Sequence, residues 1–174
     1  MLFEISKESR TRAKMPHELF MVNLAVGHLL LAPSVFLLMK SITALLIPLL
    51  ISCAVIAFIY IRGKMVERDG AWYEMVNYKL AWRRSTFLLI AYAVTAVIIT
   101  GGWMLGMASN KPAMQDILLT ISTRIGIMPT FITVIVTFVL EASAVNQAKA
   151  GEIPDSFLKK YPVPADMQVK EPAT

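Results

Sequence analysis

The chain has 174 residues, 56% of them hydrophobic and only 17% charged, with a formal net charge of +5. A soluble domain carries about a quarter charged residues, and here long uncharged apolar runs alternate with short charged segments. This excludes a soluble globular enzyme, a disordered chain and a disulfide-stapled domain, and predicts an all-α integral membrane four-helix bundle with short loops.

Residues 1–18 are polar, with Lys7, Arg10, Arg12 and Lys14 set against Glu4, Glu8 and Glu18. The membrane domain is expected over residues 19–148. Its first span, 19–39, has 21 residues, no charge and one histidine. At helical rise it reaches roughly 31 Å, about the hydrocarbon thickness. It is too long for a signal-peptide core and shows no convincing small-residue cleavage site at its end, so an uncleaved span is expected. Lys40 and Ser41 separate it from a second uncharged run, 42–61, which makes the pair an antiparallel hairpin. Pro48 lies inside that run and is expected to kink it.

Residues 62–84 carry Arg62, Lys64, Arg68, Lys79, Arg83 and Arg84 against Glu67, Asp69 and Glu74. Asp69–Gly70 signals a turn or a helix start. Beyond it, Trp72, Met75, Val76 and Leu80 recur at helical spacing, and Trp72, Tyr73, Tyr78 and Trp82 supply aromatic bulk beside Arg83 and Arg84. Two readings fit equally: an amphipathic helix at about 70–84 lying at the interface, or a cytoplasmic extension of the next span.

The third span is expected at 87–107. Its outer end carries Gly102 and Gly106 in a Gly-x-x-x-Gly pattern, which lets another helix approach closely. The fourth, 117–140, contains Arg124, Gly126 and Pro129. Either the whole stretch spans, or 113–124 lies in the interface and 125–145 spans. Residues 149–174 form a proline-rich tail without apolar periodicity, expected to be disordered or docked on a partner.

Basic residues set the orientation. The N-terminal segment has four Lys/Arg, the 62–84 segment six and the tail four, whereas the two opposite loops hold only Lys40 and Lys111. This predicts a multi-pass inner-membrane protein with both termini cytoplasmic. The positive charge is interleaved with acids and suits anionic lipid, not nucleic acid.

Catalytic signatures are missing. There is no phosphate loop, no nucleophile elbow and no second histidine to complete a His-Glu-x-x-His helix after His17–Glu18. His17 and His28 lie eleven residues apart on nearly one helix face, but no other span offers a histidine. The only haem they suggest is one shared across a dimer or completed by a methionine. No cofactor and no metal are therefore expected. Cys53 reads as a packing residue, and the eleven methionines as filler of irregular gaps.

The residue hardest to place is Arg124, because an arginine inside a span is costly. Pro129 cannot donate to the carbonyl of Ile125, which frees an acceptor beside it. Arg124 is expected to form an intramembrane polar site with His28, Asp116 and Thr123, or else to snorkel outward to a lipid phosphate or to Asp116. The function expected is a non-catalytic subunit or an accessory or assembly factor of a membrane complex. Its partners would be the bilayer and other membrane proteins or itself. The alternative is a small homo-oligomeric transporter or channel built on the Arg124 segment.

Overall fold

The computed structural model describes residues 1–165, 167 and 169, apart from the side chain of Ile42; the remaining C-terminal positions lie outside the described residues. The elements are α1 (Lys7–Val22), a π-helical segment (Asn23–Leu31), α2 (Ala32–Met39), a 3-10 turn (Ile42–Leu45), α3 (Leu46–Arg68), α4 (Trp72–Met107), α5 (Pro112–Ala150) and α6 (Asp155–Leu158). Four of the helical stretches, Lys7–Met39, Thr43–Arg68, Trp72–Met107 and Pro112–Ala150, are long and apolar enough to cross a membrane. The chain divides into two compact units, Met1–Ser85 with Phe138–Thr174, and Thr86–Thr137.

In the first unit, Ser6 caps α1, its hydroxyl accepting from the Ser9 amide at 3.2 Å. The helix therefore starts twelve residues before the apolar run. After α1 the backbone widens for nine residues into π-helix, a form that is rare and concentrated at functional sites. Lys40 ends α2 in the left-handed region with φ 48°. Pro48, expected inside the second apolar run, stands near the start of α3, in the first turn, where its missing N–H leaves no intrahelical bond unmade.

Gly70, with φ 73°, makes the turn into α4. From Trp72 the helix runs unbroken for 36 residues. No separate interfacial helix forms over 70–84; the segment is the start of α4. The reason is local: no proline lies between Trp72 and Met107, and the first glycine is Gly101. α5 is likewise one helix of 39 residues with Pro129 inside it, so residues 113–124 do not separate as an interfacial piece.

The core of the first unit joins Phe3, Ala13, Tyr73, Val76, Leu80, Ala144, Ala148, Ile153 and Phe157. This corrects the expected disorder of the tail: residues 151–165 pack on the protein. Phe3 donates its amide to Gly151 O at 2.9 Å and Ile153 donates to Met1 O at 3.1 Å. Gly151 has φ 84°, and a Cβ there would stand 2.8 Å from Phe3 O, so glycine is required for the two termini to meet. Phe157 is buried, with the Arg83 guanidinium 5.5 Å from its ring centroid. Burial of Ile153 and Phe157 contributes about 1.5–3 kcal/mol each, a gain that composition alone does not reveal.

The second unit pairs the ends of α4 and α5 across the Ala108–Lys111 turn. Gly102 lies so close to Ser122 that any Cβ would collide with it, and a Cβ on Gly126 would stand 2.9 Å from Ile99. The Thr95 hydroxyl donates to Gly126 O at 2.6 Å and lies 2.8 Å from the Thr130 hydroxyl. A polar bond thus forms one residue away from the carbonyl that Pro129 leaves free. Large apolar side chains point outward: Val97 is 72% exposed and Leu105 65%. That surface suits hydrocarbon, where exposed apolar groups cost nothing and backbone groups are satisfied within helices.

Candidate functional site: a buried polar cluster

The first unit buries a set of polar side chains where α1, α4 and α5 meet. His17 from α1 and Glu141 from α5 are both fully buried. His17 Nδ1 lies 2.6 Å from Glu141 Oε2, and its Nε2 lies 3.2 Å from Asn77 Oδ1. The Asn77 amide is oriented by a second bond, its Nδ2 donating to Tyr73 O at 2.9 Å. With Oδ1 therefore facing the imidazole, His17 Nε2 carries a proton and donates it. One further proton lies between His17 Nδ1 and Glu141 Oε2, on a charge-assisted or neutral bond of short length.

Arg84 extends the cluster. Its Nη1 donates to Leu140 O at 2.6 Å and lies 3.7 Å from Glu141 Oε1. Glu141 thus has a cation on one oxygen and an imidazole on the other. Glu74, also buried, accepts from the Ser9 hydroxyl at 3.1 Å and has Arg12 at 4.0 Å. The Tyr73 hydroxyl, near the start of α4, donates to Ala148 O at 3.0 Å. Apart from the Asn77–Tyr73 bond within α4, every link joins α1 or α4 to a neighbouring helix, so the cluster ties these helices together by polar contacts.

A second buried pair lies along the first span. Asn23, at the start of the π-helical segment, donates its amide to the Ser52 hydroxyl of α3 at 2.8 Å. Gly27 leaves the room this needs: a Cβ there would stand 3.3 Å from Asn23 Oδ1. His28 Nδ1 lies 3.3 Å from Asn23 O, five residues back in its own segment.

The residues expected from sequence are distributed differently. Arg124 and Asp116 are exposed and Thr123 half-buried, all on α5 in the second unit. Among the described residues Arg124 and Asp116 form no ion pair; eight residues of helix separate them by roughly 12 Å. His28 belongs to the first unit. Of the residues expected at the headgroup boundary, Tyr73 and Tyr78 are buried. Trp82 pairs with Tyr60 at 4.7 Å between centroids, and Trp72 meets Phe3 edge-on at 5.5 Å. His17 has a partner on each ring nitrogen, which leaves neither one facing outward as an iron ligand.

Sequence reasoning missed Glu141, Asn77, Glu74 and Asn23. Two signals were present. Asn23 is the only amide in the first apolar run, and Asn77 lies seven residues before Arg84, two turns along one helix face. Comparison with family models, with curated proteins and with solved structures gives no match for this chain.

Proposed function

We propose that the chain is a non-catalytic component of a membrane complex, an accessory or assembly subunit that works by contact within the bilayer. The observation that carries this reading is Arg124, exposed on a helix whose neighbouring side chains Ile121 and Ile125 are also exposed and apolar. A charge on such a face is costly in hydrocarbon unless an anionic group meets it. A carboxylate on a helix of another subunit would do so. The buried cluster supports the same reading from the other side: both ring nitrogens of His17 are engaged, by Glu141 and by Asn77, which suits a fixed scaffold more than a reacting centre. A multi-pass inner-membrane position with both termini cytoplasmic completes the proposal.

The second reading, a small homo-oligomeric transporter or channel, rests on the same exposed Arg124, which would then face a lumen between copies. One experiment separates them. The full chain, tagged and extracted in mild detergent, should co-purify with a stoichiometric second membrane protein, and Arg124→Leu should lose it. A homo-oligomer of defined size with no second protein would favour the transporter. A monomer from both wild type and variant would overturn both.

A further inference from the structure

The first unit holds a cavity of about 450 Å³ lined by Ile5, Lys7, Arg10, Thr11, Lys14 and Lys149. Four of the six lining residues are cationic and none is acidic. We propose that this cavity is a binding site for an anionic phosphate group, carried by an acidic lipid headgroup or by a small soluble phosphate ester.

The local sequence builds it. Lys7, Arg10, Thr11 and Lys14 fall at spacings of three and four residues, so they share one face of α1. Lys149 arrives from the last turn of α5. Arg10 is fixed where the two meet: its Nη1 donates to Lys149 O at 3.4 Å. Its Nε is buried and, among the described residues, has no hydrogen-bond partner. The Gly151 turn runs beside it: a Cβ on that glycine would stand 3.6 Å from Arg10 Nε, in ordinary van der Waals contact. Among the described residues only Lys14 of the four cations is ion-paired, with Glu18 at 3.0 Å. Lys7 and Lys149 are exposed and line the same cavity, which no carboxylate lines.

The chemistry of the lining selects the ligand. A guanidinium offers a planar fork of donors and lysines offer mobile point charges, the combination that suits a tetrahedral dianion or monoanion. The volume exceeds that of a bare phosphate and lies in the range of small-molecule sites. Position also fits. Lys14 lies five residues before the apolar run begins at Leu19, roughly 7 Å at helical rise, which is headgroup depth. Lys7 and Lys149 stand further toward water, where a headgroup or a soluble ester would extend.

The test uses the full chain in neutral detergent, with lipid retention read by native mass spectrometry. Phosphatidylglycerol and phosphatidylcholine are offered in equal amounts, and glycerol 1-phosphate is added as a soluble competitor. Wild type should retain phosphatidylglycerol in preference. Lys7→Gln/Lys149→Gln should lose about 30-fold of that preference, as expected for two basic residues beside an anionic headgroup. Arg68→Gln/Lys159→Gln removes the same charge from exposed positions outside the cavity and should keep it. Displacement of the lipid by millimolar glycerol 1-phosphate identifies the soluble ester as a ligand of the same cavity; retention against it identifies the headgroup. Equal loss in both double variants, or no preference in wild type, overturns the proposal. Both pairs of positions are exposed, and an unchanged unfolding midpoint without ligand confirms that each variant is folded.

Discussion

His17 Nδ1 and Glu141 Oε2 stand 2.6 Å apart, 124 positions distant in sequence, and neither side chain is exposed. Removing one partner of such a pair leaves the other buried and uncompensated, at a cost of about 3–5 kcal/mol, whereas replacing both by apolar groups is often neutral. His17→Leu and Glu141→Leu alone should each lower the thermal unfolding midpoint strongly in detergent. The double variant should recover much of that loss. Additive losses would mean that the two residues are not coupled.

The docked tail changes what truncation should do. Composition suggests that everything from Gly151 onward is dispensable. Instead Ile153 and Phe157 share a core with Phe3, Tyr73 and Val76. Truncation after Ala150 should expose that core, lower the yield and open the N-terminal residues to proteolysis. Phe157→Ala alone should cost about 3–5 kcal/mol. An unchanged unfolding midpoint in Phe157→Ala would show that the tail contributes nothing to the fold.

The four long apolar helices were legible because each apolar run is long enough to cross hydrocarbon and is bounded by charge, a signal carried by consecutive residues. The buried cluster was not legible for the opposite reason. Glu141 closes an apolar run and looks like a span end, and His17 precedes one and looks interfacial; only tertiary packing brings them together. The tail misled because Pro154, Pro162 and Pro164 outweigh its apolar residues in composition, while Ile153 and Phe157 have no regular period to announce a packed face. The π-helical segment at Asn23–Leu31 has no composition of its own. Its one visible mark was an asparagine in an otherwise apolar run.

The proposed orientation, with both termini cytoplasmic, rests on the distribution of basic residues and has a direct test. A reporter active only on the outer side should be silent when fused after Thr174 and active when inserted between Ala108 and Pro112. The reverse pattern would invert the protein and move Lys7, Arg10 and Lys149 to the outer face.

The approach of α4 to α5 in the second unit rests on glycine, and two neighbouring glycines separate the effect of packing from that of helix propensity. Gly101 and Gly102 both lie in the interior of α4. A Cβ on Gly101 meets nothing within 4 Å, whereas one on Gly102 collides with the Ser122 side chain. Alanine favours helix over glycine by about 1 kcal/mol at either position, so Gly101→Ala should be neutral or slightly stabilising. At Gly102 overpacking should exceed that gain and cost about 1–3 kcal/mol. Ser122 cannot simply turn away, because the added carbon also collides with its Cβ, which no rotamer moves. Ser122→Gly removes both colliding atoms, so in the Gly102→Ala background it should recover much of the lost stability, less the cost of a glycine within α5. Unfolding midpoints of the two single variants and the double variant decide it. Equal behaviour of Gly101→Ala and Gly102→Ala would show that the two helices do not meet at Gly102.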